Sequence, residues 1–177
     1  MKPVLVTRAE PGASRTVERL RARGMTAVNA STAVIAYRHA APELDGVGAL
    51  AFTSPNGVGA FAKACSRRDL PVLAVGAATA AAARDAGFAA VTSADGDGPA
   101  LARLIAAAPP NGKLLHVTGA ARGFDLAGAL KERGLAADTA VLYDAQETRA
   151  LTGETCAMLE AGAVILVHSP LGAARFA

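Results

Sequence analysis

Ala49-Leu50-Ala51-Phe52-Thr53-Ser54-Pro55-Asn56-Gly57-Val58-Gly59-Ala60-Phe61 reads as a buried strand that turns at once into a helix. The apolar run stops at Ser54, a good N-cap, and Pro55 fits the first helical position, where a missing N–H costs nothing. A second stretch has the same plan: Val164-Ile165-Leu166-Val167-His168-Ser169-Pro170-Leu171-Gly172-Ala173-Ala174-Arg175-Phe176. Glycine in the first helical turn, at Gly57 and Gly172, leaves backbone N–H groups uncovered, and such a helix start attracts anions. Taken singly, Ser-Pro is also how an ordinary helix is capped. Taken as a pair, the two stretches imply two related α/β units and an anionic ligand gripped from both sides.

Composition narrows the classes. The chain of 177 residues is 52% hydrophobic and 19% charged, with 18 Gly and no Trp, which suits an Ala-rich α/β protein of one or two domains. No apolar stretch approaches the roughly 20 residues of a membrane helix. The start, Met1-Lys2-Pro3-Val4-Leu5-Val6-Thr7-Arg8, meets charge too soon for a secretory signal and reads as a first strand. Cys65 and Cys156 are far apart and have no CxxC spacing, so a reduced, cytoplasmic protein is expected. A net charge of +3 comes from scattered Lys and Arg, densest at Arg67-Arg68. That leans toward anionic partners but makes no nucleic-acid footprint.

Short apolar runs predict strands at Val4–Thr7, Ala27–Ala30, Ala49–Phe52, Val72–Val75, Ala90–Thr92, Leu114–Val117, Thr139–Tyr143 and Val164–Val167. Helical periodicity fills most gaps, with stops at Gly24, Gly87 and Gly134 and at Pro109-Pro110. Alternation of this kind predicts parallel sheets wound by right-handed crossovers. Two places break it. Ile35 to Pro42 is extended with no helix before the next strand, and Asp144 to Arg149 is polar and follows a strand directly. Read as crossings, they predict two flavodoxin-like parallel-sheet domains joined by a two-strand hinge. The continuous domain spans 37–149 and has five strands; the discontinuous one is 1–36 plus 150–177. With three candidate strands and a helix from Pro170 cut short at Ala177, the second reads as incomplete, lacking about two strand–helix units by symmetry with the first.

The ordered set of motifs resembles the uroporphyrinogen-III synthase family. The matching pieces are Leu5-Val6-Thr7-Arg8, Phe52-Thr53-Ser54-Pro55-Asn56-Gly57-Val58, Ala74-Val75-Gly76-Ala77-Ala78-Thr79-Ala80 with Gly87, Val141-Leu142-Tyr143, and Ser169-Pro170. The resemblance runs over the whole chain and ends before the family's C-terminal part. In one place the chain departs from the pattern: the family's Arg-Gly after the Leu114–Val117 strand is replaced by Thr118-Gly119-Ala120-Ala121-Arg122-Gly123. Arg122 is then the candidate for the place of that Arg.

The resemblance implies cyclisation of hydroxymethylbilane, a flexible linear tetrapyrrole with many carboxylates, on the route to haem and other tetrapyrroles. Loss of water gives an azafulvene. The terminal pyrrole attacks through its substituted carbon, and a spiro intermediate then fragments and recloses with that ring inverted. Such chemistry asks for positioning and for a donor to the leaving hydroxyl, with no cofactor and no metal. It implies a monomer, with hydroxymethylbilane synthase as a candidate partner and neither nucleic acid nor membrane involved.

The residues fit that demand. Helix starts at Ser54, Pro55, Asn56 and Gly57, at Gly76, Ala77 and Thr79, and at Ser169 and Gly172 offer N–H groups to carboxylates. Gly119 and Arg122 follow a strand end, and Arg8 can meet a carboxylate bidentately. Thr79 and Arg8 read equally well as a first-turn Thr and a solvated Arg. Tyr143, at a strand end, is the candidate acid, since a phenol with an ordinary pKa of about 10 holds its proton at neutral pH. The other reading of Tyr143 is a core residue with its hydroxyl at the rim. His39, His116 and His168 lack metal spacing, and His116 within an apolar run reads as a satisfied core histidine. Two rivals remain open: a non-enzymatic two-domain small-molecule binding module, and a nucleotide enzyme, against which no GxGxxG or GxxxxGK[ST] follows a strand. A thermal-shift screen with tetrapyrroles, sugars and nucleotides separates the three.

Overall fold

The computed structural model describes residues 2–121, 123–147, 151–168 and 173. Its elements in chain order are β1 (Val4–Val6), α1 (Gly12–Arg21), β2 (Ala27–Asn29), β3 (Ala33–Tyr37), β4 (Val47–Phe52), α2 (Pro55–Ala64), β5 (Val72–Ala74) and α3 (Ala77–Asp85). There follow β6 (Val91–Ser93), α4 (Gly98–Ala107), β7 (Lys113–Gly119), α5 (Leu126–Lys131), β8 (Ala137–Glu147), α6 (Gly153–Glu160) and β9 (Val164–Leu166). The chain divides into two compact units, Met1–Ala36 with Ala145–Ala177, and Tyr37–Asp144. Both β3 and β8 run across a division between them. Arg149, where the sequence reading sets a boundary, lies outside the described residues.

Glycine ends the helices as expected. Gly24, Gly87 and Gly134 have φ of 75°, 95° and 77°, a region L side chains rarely enter. The next residue then turns its N–H back to the helix: Met25 to the Leu20 carbonyl, Phe88 to Ala83 and Leu135 to Leu130.

Unit Tyr37–Asp144 carries most of a six-stranded sheet, in the order β3-β8-β7-β4-β5-β6. The pairings from β8 to β6 are parallel. Counted from β4, these five strands run 3-2-1-4-5 when numbered along the sheet, not the 2-1-3-4-5 of flavodoxin, which corrects the expected order. Two crossovers step outward on one side of β4, and the third jumps back to its other side. The helices therefore lie on both faces. Leu50 and Phe52 of β4 pack with Val58 and Phe61 of α2 and Ala83 of α3, while Ala49 and Ala51 pack with Leu101 and Ile105 of α4 and Leu126 and Leu130 of α5. Phe52, Phe61 and Phe88 form a triad with ring centroids 6.0–6.1 Å apart.

The expected sheet of five strands is also corrected at its edge. The crossing that begins at Ile35 starts within a strand, β3, which joins the sheet as its sixth member, with Ala33 and Ile35 buried and Val34 between them 46% exposed. Three apolar residues in a row hide that alternation. β8 likewise continues through the polar residues to Glu147.

The other unit has a parallel sheet ordered β2-β1-β9, with Val6, Ala13, Val17 and Ala27 at its core. Its plan repeats that of β7, α5 and β8. Register pairs Val4↔Ala27 and Val6↔Asn29 correspond to Leu114↔Ala137 and His116↔Thr139. Likewise β9 pairs with β1, Val6 opposite Leu166, as β4 pairs with β7, His116 opposite Ala51.

A Cβ at Gly48 would strike the backbone carbonyl of Asn111, which cannot move without disturbing the start of β7. Gly48→Ala is expected to destabilise the protein by about 1–3 kcal/mol, the usual cost of overpacking, read from denaturant midpoints; an unchanged midpoint contradicts this packing.

Candidate functional site

In an open parallel sheet, ligands bind outside the carboxyl ends of the strands, where neighbouring strands send their connections to opposite faces. In unit Tyr37–Asp144 that place is the pair β4 and β7, followed by α2 on one face and α5 on the other.

Six of the predicted residues lie there: Ser54, Pro55, Asn56, Gly57, Gly119 and Tyr143. Ser54 caps α2, its Oγ accepting the Gly57 N–H at 3.3 Å, with Pro55 at the first helical position. The same Oγ lies 3.1 Å from Tyr143 Oη, at hydrogen-bond distance. A Cβ on Gly57 would lie 2.9 Å from the Val117 carbonyl oxygen, so only glycine lets the first turn of α2 rest on β7. A Cβ on Gly119 would lie 2.6 Å from Tyr143 Cε2, so the phenol ring lies across Gly119. Asn56, half-buried in the first turn, makes no hydrogen bond through its side chain among the described residues.

An irregularity in β8 brings Tyr143 into this group. Register runs Thr118↔Val141 and then Gly119↔Tyr143, leaving Leu142 as an extra residue. Strand alternation would send Leu142 and Tyr143 to opposite faces, whereas both pack against the core cluster on the α2 face. The Ala120 N–H closes the corner on the Tyr143 carbonyl at 3.0 Å. Sequence reasoning identifies the tyrosine but has no means of seeing the bulge.

On the α5 face of the same corner, Thr53 Oγ1 lies 3.2 Å from His116 Nε2, and His116 is 2% exposed. The expectation of a satisfied core histidine agrees with its burial and with this partner at Nε2; that the partner is Thr53 is not legible in the sequence.

Gly76, Ala77 and Thr79 lie one strand away, at the start of α3 after β5. Gly76 has open space where a Cβ would be, while Thr79 is 3% exposed and turned inward with Ala80 and Ala83. A cavity of ≈ 330 Å³ opens at the opposite edge, among Gly48, Pro71, Thr92 and Asn111, and its lining contains no titratable side chain.

Arg8 belongs to the other unit. Its guanidinium lies across the first turn of α1, where a Cβ on Gly12 would meet its Nε at 2.5 Å. Burial, then the nearby Arg15, lowers its pKa, and among the described residues no carboxylate pairs with it. His168 is lowered too, first by burial and then by Arg8. Arg122, Ser169, Pro170 and Gly172 lie outside the described residues. Among the described residues no three His, Cys, Asp or Glu side chains are grouped to hold a metal, and no helix is long and apolar enough to cross a membrane.

A family model described as "Uroporphyrinogen-III synthase HemD" matches residues 14–177. The chain belongs to this family. Among solved structures, the uroporphyrinogen-III synthetase of Helicobacter pylori 26695 is similar with a TM-score of 0.67 at 16% identity, over 99% of this chain and 77% of that one. A mutant uroporphyrinogen III synthase from the extremely thermophilic bacterium Thermus thermophilus gives 0.51 at 18% identity, over 84% of this chain and 64% of that one. At such identities the likeness is one of fold. No curated protein matches the chain by sequence.

His168 gives this unit a pH signature. Its lowered pKa means that the unfolded chain takes up the proton first. Acidification through the ordinary histidine range, down to the lowered pKa, therefore removes stability. Histidine NMR is expected to place the His168 midpoint below the usual value, and Arg8→Met to move it back up. An ordinary midpoint that ignores Arg8→Met contradicts the described packing.

Proposed function

We propose that this chain closes hydroxymethylbilane to uroporphyrinogen III, and that the corner of Ser54, Gly57, Gly119 and Tyr143 carries the chemistry. Membership of the uroporphyrinogen-III synthase family supports the reaction. The observation that carries the assignment of residues is the Ser54–Tyr143 contact at the carboxyl edge of β4 and β7.

Ser54 Oγ already accepts the Gly57 N–H, so its own proton is available to Tyr143 Oη. A phenol that accepts such a bond is a stronger donor through its own O–H. In this reading Tyr143 gives its proton to the leaving hydroxyl, the C–O bond breaks, and water departs. The electrophilic carbon is attacked by the terminal pyrrole, the spiro intermediate reopens and recloses, and the proton shed as the last ring regains aromaticity returns to the phenolate. The Tyr143 side chain ends as it began, and water is the only by-product. The first-turn amides of α2, with Pro55 and Asn56, are the proposed carboxylate contacts in this unit. Gly76 and Ala77 at the start of α3, and Arg8 in the other unit, are further candidates.

The finer assignments belong to the same proposal: a hydro-lyase without cofactor, working as a cytoplasmic monomer in haem and other tetrapyrrole biosynthesis, supplied by hydroxymethylbilane synthase. A coupled assay tests the reaction. Uroporphyrinogen III is expected without added cofactor, and formation of the spontaneous isomer uroporphyrinogen I alone contradicts the proposal. Tyr143→Phe is expected to lower kcat far more than it changes KM, by on the order of 1–3 kcal/mol for one hydrogen bond made in the transition state. Equal turnover by variant and parent returns Tyr143 to a structural role.

A further inference from the structure

The repeat of plan between the two units isolates one polar pair. His116 of β7 occupies the place that Val6 occupies in β1: Val6 stands opposite Asn29 and Leu166, and His116 opposite Thr139 and Ala51, in matching register. Val6 is fully buried in an apolar cluster with Ala13 and Val17. Packing at this place thus needs no imidazole. In unit Tyr37–Asp144 the place nevertheless holds one, 2% exposed, with Nε2 at 3.2 Å from Thr53 Oγ1. A buried polar pair that an apolar residue can replace adds specificity of position more than stability.

What the pair fixes is the corner itself. Thr53 is the single residue between the end of β4 and Ser54, the cap of α2. Ser54 in turn holds the Gly57 N–H and faces Tyr143 Oη. Rotation of the Thr53 peptide would carry Ser54 away from both partners. His116 stands on the central strand β7, bonded to β4 and β8 on its two sides, and so ties Thr53 to the most constrained part of the sheet. We infer that His116, acting through Thr53, is a positioning residue that sets the Ser54–Tyr143 hydrogen bond. Its catalytic consequence rests on the function proposed above; its geometric content does not.

The test uses a property of the composition. The chain has two tyrosines and no Trp, so Tyr37→Phe leaves Tyr143 as the only tyrosine. In that background Thr53→Val, His116→Val and the double variant are compared by ultraviolet resonance Raman of the phenol and by exchange of the Gly57 amide. Each is expected to melt cooperatively, shift the Tyr143 signal and speed Gly57 exchange about tenfold or more, with the double variant no worse than either single one. His116→Gln, which keeps a polar nitrogen near the same place, should restore the parent signal. In the coupled assay kcat should fall about tenfold, as for one misplaced hydrogen bond, with KM within about twofold. An unchanged Tyr143 signal in both single variants overturns the inference whether or not the chain is active. A shifted signal with full kcat in an active parent overturns the catalytic consequence. If the parent makes only uroporphyrinogen I, the functional proposal fails, and the phenol signal alone decides the positioning role.

Discussion

Strands β4 and β7 pair side by side with one irregularity, at Gly48, and glycine stands where the chain presses closest on this seam. A Cβ on Gly48 would collide with the Asn111 carbonyl, and one on Gly112, at φ 116°, would meet the Gly46 carbonyl oxygen at 2.8 Å. At the other end, a Cβ on Gly57 would lie 2.9 Å from the Val117 carbonyl oxygen. Between these points five register pairs run from Val47↔Lys113 to Phe52↔Val117. Without that seam the first turn of α2 would not seat on β7, and Ser54 would have no fixed relation to the strand beside it.

From the seam the rest of the corner follows. The jump from β6 back to β7 places α4 and α5 on the face opposite α2 and α3, so the carboxyl edge opens where β4 and β7 part. One extra residue at Leu142 turns Tyr143 onto the α2 face, and Gly119 gives its ring room. The products of this geometry are two hydroxyls at 3.1 Å beside the start of α2. That is a donor next to an anion-binding backbone, which suits a substrate that must lose a hydroxyl while its carboxylates are held.

Much of this is legible in the sequence because its causes are local. Ser54 and Pro55 declare a cap within four residues of sequence, and Gly24, Gly87 and Gly134 declare stops through a conformation that few other residues adopt. What escapes is non-local. Whether Tyr143 meets Ser54 depends on one residue of slip against β7, and Thr53 finds His116 only across a strand pairing. The strand order escapes because alternation shows that strands are parallel but not which are neighbours. β3 reads as a hinge strand rather than as a member of the sheet because its period of two is masked by an exposed Val34.

Amide chemical-shift mapping with uroporphyrinogen III puts the central claim, that the carboxyl edge of β4 and β7 is the site, to its most direct test. The account predicts that shifts concentrate at Gly57, Gly119 and Ala120. Shifts confined to Val72, Thr92 and Asn111, around the cavity at the opposite edge, would contradict it.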